Sequence, residues 1–227
     1  MSPTALAIFD LDGVLADTAQ LHFRAWKTIA DELGIYFDEA FNQQLKGVDR
    51  IGSLRAILAH GELELTELEI AALAERKNAL YLDAVADLTP NDLFPGVLAI
   101  LENIKNLGMQ AAVASASRNA PLVLDRLGIA DRFIFVAEPA LYRPKPAPDL
   151  FLACADAANT PPSQCIGFED AVVGIAAIKG AGMRAIGIGD RHVLKEADIV
   201  FSSVAAVNLE EILDNMPADA DSVTWRG

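Results

Sequence analysis

The chain of 227 residues has little of several features that mark specialised protein classes. It has only two cysteines, Cys154 and Cys165, in apolar or strand-like surroundings, which predicts buried free thiols rather than a disulfide framework. It has 18 basic residues against 32 acidic ones, and the net charge of −14 argues against nucleic acid or an anionic membrane as a partner. No apolar run approaches the length of a membrane span.

We also expect the protein to carry no targeting segment. The chain opens directly into an apolar stretch, with no basic region before it and no long apolar segment like that of a signal peptide. We therefore expect a soluble, cytoplasmic protein. The content of 52% hydrophobic residues fits a folded chain, either one large α/β domain or a domain with an insertion.

The most informative stretch contains Asp10 and Asp12. An apolar run from Ala5 to Phe9 ends abruptly in these two aspartates, and Gly13 follows them. On a strand this spacing points both carboxylates to the same side, and the glycine lets the chain turn sharply. Open α/β sheets bind ligands beyond the carboxyl ends of their strands, where one carboxylate can bind Mg²⁺ and act as a nucleophile while the other carries a proton. An acidic turn after a buried strand is the simpler alternative.

Between Thr18 and Leu88 the sequence predicts only helices. Asp17 and Thr18 are good N-caps for a first helix, in which apolar residues recur at helical spacing until Gly34 ends it. Further helices are predicted for residues 39–45, 50–60 and 66–86. We interpret residues 17–87 as a helical cap domain inserted into another domain.

From residue 88 onward, predicted strands alternate with helices. The strands are expected at residues 109–114, 133–136, 164–168, 184–188 and 198–201. This alternation is typical of a parallel sheet covered on both faces. The fold class is therefore α/β: a Rossmann-like, doubly wound parallel sheet core, made of residues 1–16 and 88–227, with an inserted all-helical cap. The acidic stretch after Met216 is expected to be poorly ordered.

Four polar clusters follow separate predicted strands: Asp10 with Asp12, Ser115 with Ser117 and Asn119, Lys145 alone, and Glu169 with Asp170. A single cluster has little meaning, because loops between strands and helices are normally polar. Together the four supply carboxylates for Mg²⁺, hydroxyl donors for phosphate oxygens, a lysine charge and a positioned nucleophile. Phosphoryl transfer requires this combination.

These segments resemble the four motifs of the haloacid dehalogenase superfamily: Asp10-Leu11-Asp12-Gly13-Val14, Ser115 at a strand end, Lys145-Pro146, and Gly167-Phe168-Glu169-Asp170. The core motifs specify only the superfamily. Within it, the chain resembles the β-phosphoglucomutases over nearly all of residues 5–200. The stretches that narrow the resemblance are His22-Phe23-Arg24-Ala25-Trp26, Leu45-Lys46-Gly47-Val48-Asp49-Arg50, Arg76-Lys77-Asn78 and Ser115-Ala116-Ser117-Arg118-Asn119.

The resemblance implies a role for each core motif. Asp10 would attack the phosphoryl group and become an aspartyl phosphate, and Asp12 would act as general acid and then as general base. The Asp10 carboxylate, the Asp12 backbone carbonyl and Asp170 would hold Mg²⁺, with Glu169 in or near its coordination shell. The residues that bind the transferring phosphoryl oxygens would be Ser115 and Lys145.

The resemblance also implies a set of substrate-binding residues. On the cap and nearby loops, those that would contact substrate or steady closure are Thr18, His22, Trp26, Lys46, Gly47, Val48, Arg50, Ser53 and Lys77. On the core, the set is completed by Ala116, Ser117, Arg118 and Asn119. The last three would meet a second, non-reacting phosphate together with Arg50.

Several cap residues also have ordinary structural interpretations. Lys46 and Arg50 lie four residues apart and could converge on one anion rather than being separately solvated, although Asp49 would weaken the attraction of Arg50 for phosphate. Four more cap residues could serve as an N-cap (Thr18), a surface histidine (His22), packing within the cap (Trp26) and part of a polar helix face (Lys77). Before Lys145, Tyr142-Arg143-Pro144 replaces smaller residues and a serine, which leaves the geometry of this loop open.

The physical requirements of a mutase agree with this assignment. A phosphatase needs one phosphate site and a path for water, whereas a mutase working through a bisphosphate needs two facing phosphate sites and a closed cap. We expect a Mg²⁺-dependent mutase acting on sugar phosphates, and a monomer, since one cleft under a moving cap needs no second subunit. A sugar-phosphate phosphatase is the main competing hypothesis. A non-enzymatic receiver-like module is a third hypothesis, but such a module needs no lid over its aspartate.

Overall fold

The computed structural model describes residues 6–214, and six of their segments form one parallel sheet in the order β3-β2-β1-β4-β5-β6. The strands are β1 (Leu6–Phe9), β2 (Gln110–Val113), β3 (Phe135–Val136), β4 (Cys165–Glu169), β5 (Arg184–Ile188) and β6 (Ile199–Phe201). The first described strand, β1, lies in the middle of the sheet, and the later strands add outward on both sides, which confirms the predicted doubly wound arrangement.

The central strand β1 ends at the point where its apolar sequence ends. All four of its residues are fully buried, and Phe9 lies opposite Val113 of β2 and Phe168 of β4. The ring of Phe9 stacks on that of Phe168 with their centroids 4.6 Å apart. The backbone N–H of Asp10 still donates to the Phe168 carbonyl at 2.9 Å, so the first aspartate is fixed at the carboxyl edge of the sheet.

Nine helices are found in residues 6–214: α1 (Thr18–Glu32), α2 (Glu39–Asn42), α3 (Arg50–His60), α4 (Glu67–Val85), α5 (Val97–Asn106), α6 (Ala120–Arg126), α7 (Asp149–Ala157), α8 (Val172–Gly180) and α9 (Leu209–Asp214). Side chains cap the first turns of α2, α3 and α4, with Asp38 capping α2. Asp49 accepts hydrogen bonds from the first N–H groups of α3, and Thr66 forms a reciprocal capping box with Glu69 at the start of α4.

The helices α1–α4 pack around an apolar cluster of their own, which includes Trp26, Ile29, Phe37, Leu54 and Ile57. Two other clusters cover the two faces of the sheet. The segments that lead into and out of the helical unit lie side by side, since the Phe94 N–H donates to the Leu15 carbonyl at 3.0 Å. The inserted helices therefore have an apolar cluster of their own, while α1 and α4 also contribute Ala25, Tyr81 and Val85 to the cluster on one face of the sheet.

Most predicted elements are confirmed, and the differences have local causes. The predicted helix 39–45 changes at Asn42 into a 3₁₀ turn, Gln43–Leu45. The predicted strand 133–136 is only two residues long, because a 3₁₀ turn at Ala130–Arg132 precedes it at the sheet edge. Helix α9, which buries Leu209 and Ile212, was not predicted.

The two cysteines are free and buried, as predicted for Cys154 and Cys165. Among residues 6–214, no helix has the length and apolar character needed to cross a bilayer. The prediction for the stretch after Met216 concerns residues outside the described range.

Candidate active site

A cleft of about 470 Å³ lies between the inserted helices and the carboxyl edge of the sheet. Its core side includes Asp10, Asp12 and Asp170, which follow β1 and β4. The four polar clusters predicted from the sequence therefore do meet, because they follow the four neighbouring strands β1–β4. The predicted residues that line the cleft from the helices and loops are His22, Trp26, Lys46, Gly47, Val48, Arg50, Ser53, Lys77, Ala116, Ser117, Arg118 and Asn119.

Lys145 is a buried cation between two carboxylates. Its Nζ donates to Asp10 Oδ1 at 2.6 Å and to Glu169 Oε2 at 2.7 Å, and its side chain is completely inaccessible to solvent. Burial lowers the pKa of Lys145, but the charges of Asp10 and Glu169 outweigh burial and raise this pKa above its ordinary value. The lysine is therefore charged and holds the Asp10 carboxylate in place.

Three carboxylates form a cluster that fits a divalent cation. Asp10, Glu169 and Asp170 each offer an oxygen, and these oxygens lie within 4.8 Å of one another. Burial, together with the charge of Asp10, raises the pKa of Glu169 to about 8, and burial also raises the pKa of Asp170. Such crowding favours a hard cation with oxygen ligands. The Asp12 carboxylate is not part of this cluster. This agrees with the implied role of Asp12, which would bind Mg²⁺ through its backbone carbonyl rather than through its carboxylate.

Backbone positions without a side chain make room for the cluster. Gly13 has a φ of +84°, and a Cβ there would lie 2.2 Å from Asp170 Oδ2. A Cβ on Gly174, inside α8, would lie 1.9 Å from Glu169 Oε2. The other oxygen of Glu169, Oε1, accepts from the N–H groups of Asp170 and Ala171 at 3.1 Å each. The buried glutamate is therefore fixed on both sides.

We expect Gly174→Ala to displace Glu169 and to cost about 1–3 kcal/mol of stability by overpacking. Turnover should fall with it, because Glu169 orients Lys145. The matched control is Gly180→Ala at the end of the same helix, where the nearest atom to a new Cβ is 3.8 Å away. Urea unfolding curves measure both variants, and equal stability of the two would contradict this account.

Asp12 lies at the side of the cleft that faces α1. Its Oδ1 accepts a hydrogen bond from Thr18 Oγ1 at 2.5 Å and lies 3.5 Å from Nε2 of His22. Burial and the nearby charge of Asp10 raise the pKa of Asp12 to about 7. A carboxyl group that exchanges its proton near neutral pH suits general acid–base catalysis. The N-cap interpretation of Thr18 is wrong, because Asp17 occupies that position and the Thr18 hydroxyl bonds to Asp12.

The buried Lys77 and the partly exposed His22 form a pair behind Asp12. Lys77 Nζ lies 2.5 Å from His22 Nδ1 and within 4.9 Å of the ring centres of Trp26 and Tyr81. Burial lowers the pKa of Lys77 to about 7, and burial and the Lys77 charge lower the pKa of His22 well below its ordinary value. The histidine is therefore neutral, and a lysine donating to Nδ1 leaves the proton on Nε2, which faces Asp12. The surface interpretations of both residues are wrong.

Trp26 packs within the helices as considered, and its contact with substrate stays a prediction. It is almost completely buried within the apolar cluster of the helices and also lines the cleft. Its ring lies 4.7 Å from Lys77 Nζ, a cation–π contact that helps to keep the lysine charge inside the protein.

Lys46 and Arg50 contact two different carboxylates in the structure, and their convergence on one anion stays a prediction. Lys46 Nζ donates to Asp170 Oδ2 at 2.6 Å, whereas Arg50 donates through NH1 to Glu75 Oε1 at 2.9 Å. The two cations lie close in sequence, but each is attracted to a different carboxylate, Asp170 for Lys46 and Glu75 for Arg50. The carboxylate of Asp49 accepts hydrogen bonds from the N–H groups of Ile51 and Gly52, so it stabilises the start of α3.

Ser115 and its neighbours shape the loop after β2. Ser115 is completely buried, and its Oγ accepts from the Ser117 N–H at 3.0 Å. Ser117 Oγ in turn accepts from the Asn119 N–H at 3.2 Å. Ser115, Thr18, Lys145 and Glu169 are therefore buried side chains that position the groups in the cleft.

No role was predicted from the sequence for four further residues, Glu75, Asn78, Arg143 and Asp149. Asn78 Oδ1 accepts from Arg50 NH2 and from Asn119 Nδ2, both at 2.8 Å, and so joins the helices to the core. Glu75 is the carboxylate partner of Arg50.

Before Lys145, Arg143 donates through Nε and NH2 to the Asp149 carboxylate at 2.8 Å each. This clamp and a cis Lys145–Pro146 peptide define the loop that the sequence left open. The available signals were the stretch Arg76-Lys77-Asn78, which carries part of the resemblance and follows Glu75, and the position of Arg143 before Lys145.

Comparison with known proteins agrees with this geometry. The sequence model of the haloacid dehalogenase-like hydrolases matches residues 4–182. The chain is 44% identical over 206 residues to the β-phosphoglucomutase of Bacillus subtilis, covering 89% of this chain and 91% of that protein. It is 33% identical to the fructose-1-phosphate phosphatase YqaB of Escherichia coli, covering 80% and 94%. The solved β-phosphoglucomutase of Clostridium difficile has a TM-score of 0.90 at 40% identity, covering 93% and 96%. The chain belongs to the haloacid dehalogenase-like hydrolase family.

Proposed function

We propose that the protein is a Mg²⁺-dependent β-phosphoglucomutase, which interconverts β-glucose 1-phosphate and glucose 6-phosphate through β-glucose 1,6-bisphosphate. The observation that carries the proposal is a single cleft with two separate sets of polar side chains suited to bind phosphate. One set is centred on Asp10, which Lys145 contacts from behind, and the other contains Arg50, Arg118 and Asn119. The 44% identity with a β-phosphoglucomutase supports the same activity.

The first set of groups would transfer the phosphoryl group. An Asp10 oxygen attacks phosphorus while the bond between phosphorus and the sugar oxygen breaks, which leaves an aspartyl phosphate. Asp12 gives its proton to the departing sugar oxygen and later removes one from the attacking hydroxyl. Lys145 neutralises charge on the phosphoryl oxygens. Mg²⁺, held by Asp10, Asp170 and the Asp12 carbonyl beside Glu169, would supply further charge neutralisation when bound.

The second set of groups would hold the phosphate that does not react. Arg50 comes from the inserted helices, whereas Ser117, Arg118 and Asn119 come from the loop after β2, so both sides of the cleft contribute. A bisphosphate could then turn around and present either end to Asp10. Our proposal includes residues 17–87 as a cap domain and residues 1–16 with 88–227 as the core domain. Closure of this cap would exclude water from the aspartyl phosphate.

Sugar phosphates are the small-molecule partners in this proposal, and the cleft lies within one chain. We therefore propose a monomeric enzyme of the cytoplasm. A phosphatase acting on a sugar phosphate is the second candidate, supported by the 33% identity with the E. coli fructose-1-phosphate phosphatase.

A priming experiment separates the two candidates. A mutase needs a phosphorylated Asp10, so β-glucose 1-phosphate alone should react after a lag that a trace of β-glucose 1,6-bisphosphate removes. A chelator should stop the reaction and added Mg²⁺ should restore it, since the three clustered carboxylates repel one another and a phosphate without a cation. Glucose 6-phosphate is followed through a coupled dehydrogenase. Full activity without any bisphosphate would contradict the mutase.

A further inference from the structure

Glu75 is an acidic residue that lines the cleft proposed to bind sugar phosphates. Its Oε1 accepts from Arg50 NH1 at 2.9 Å, and it lines the same cleft as Arg118. The Glu75 side chain is 74% exposed, whereas that of Arg50 is only 21% exposed. The carboxylate is therefore the loosely held member of this pair, because an exposed ion pair contributes little and leaves its long side chain free to move.

Arg50 is held from its other side by a neutral group. Its NH2 donates to Asn78 Oδ1 at 2.8 Å, and the same oxygen accepts from Asn119 Nδ2 of the core at 2.8 Å. Arg50 can therefore keep its place when Glu75 moves away. The pair combines a fixed cation with an exchangeable carboxylate.

We propose that Glu75 is a specificity-determining residue, an exchangeable counter-ion that the non-reacting phosphate of the substrate displaces from Arg50. The inference rests on the second phosphate site of the proposed function. A phosphate dianion can bond Arg50 and also attract Arg118, so it replaces a solvated carboxylate favourably. A neutral sugar lacks the charge to do so. Glu75 thereby lowers the affinity for every anion and keeps weakly charged ligands out of the site.

The chain offers a matched control on the same two helices. Arg55 and Glu67 also join α3 to α4 in an ion pair, with NH2 and Oε1 2.9 Å apart, and neither residue lines the cleft. Glu67 lies eight residues before Glu75, about 12 Å along α4. Replacing either glutamate by glutamine removes one negative charge from the helices, but only Glu75→Gln frees the arginine of the phosphate site.

The test measures binding and kinetics in the full-length protein. In the Asp10→Asn background, which prevents turnover, titration calorimetry with β-glucose 1,6-bisphosphate should give a two- to fivefold lower Kd when Glu75→Gln is added, roughly the contribution of one exposed ion pair. In the active enzyme, Glu75→Gln should lower the KM for β-glucose 1-phosphate by a similar factor with little change in kcat. Glu67→Gln should leave both quantities unchanged.

An unchanged or higher Kd for the Glu75→Gln protein would overturn the inference, because the carboxylate would then orient Arg50 rather than compete with phosphate. An equal effect of Glu67→Gln would also overturn it, since the effect would come from the general field of the protein. Failure of the proposed function is seen separately, as absence of glucose 6-phosphate in the wild-type reaction.

Discussion

Asp10→Asn is expected to abolish turnover while the protein stays folded. The amide has nearly the shape of the carboxylate but cannot attack phosphorus, so kcat should fall by about 10⁴-fold or more, as for the loss of other covalent nucleophiles. Lys145 keeps its contact with Glu169 at 2.7 Å, so its charge remains paired in the variant. Glucose 6-phosphate formation measures activity, and urea unfolding measures stability.

The control for the loss of one negative charge is Asp125→Asn, on the exposed side of α6 and outside the cleft. It should retain wild-type activity. Turnover by Asp10→Asn within tenfold of wild type would contradict a covalent role for Asp10 and would leave direct attack by another nucleophile as the mechanism.

Lys145→Met is expected to reduce both stability and activity. The substitution leaves the carboxylates of Asp10 and Glu169 buried without their cation, and breaking a buried pair in this way costs about 3–5 kcal/mol. The comparison is Lys179→Met, which breaks an exposed pair with Asp198 and should cost less than about 1 kcal/mol. The free energy of unfolding, measured in urea with a chelator present, should separate the two variants.

The pH dependence of Lys145→Met provides a second measurement. Glu169 already has its pKa raised to about 8, by burial and Asp10, and removal of the lysine raises this pKa further. The wild-type glutamate loses its proton above about pH 8 whereas the variant keeps it, so the destabilisation caused by Lys145→Met should increase as the pH rises from 7 towards 10. A destabilisation that is constant across this range would mean that lost packing, rather than uncompensated charge, is the cause.

The core of the fold could be predicted because its signals are local. An apolar run that ends in two aspartates predicted β1, and alternating strands and helices predicted the parallel sheet. The short strand β3 and helix α9 were harder to predict from the sequence. Pairing at the sheet edge and docking of Leu209 and Ile212 depend on tertiary contacts.

The candidate site also has features that the sequence could predict and features that it could not. Carboxylates and Lys145 follow strands whose ends must meet, so their assembly was predictable even though Lys145 and Asp10 lie 135 positions apart. The hydrogen-bond partners of the residues in the cleft could not be predicted, because several of them lie on segments such as α4 that reach the site only through packing. Lys46 and Arg50 illustrate this: their spacing favoured one shared anion, and it gave no sign of the contacts with Asp170 and Glu75.

The central claim is that the cleft transfers a phosphoryl group between sugar oxygens and keeps it from water. The most direct test supplies β-glucose 1-phosphate, Mg²⁺ and a trace of β-glucose 1,6-bisphosphate, and follows glucose 6-phosphate and free phosphate in the same reaction. We predict rapid formation of glucose 6-phosphate with little free phosphate. Free phosphate as the main product would contradict the claim, because water would then reach the aspartyl phosphate and the enzyme would be a phosphatase.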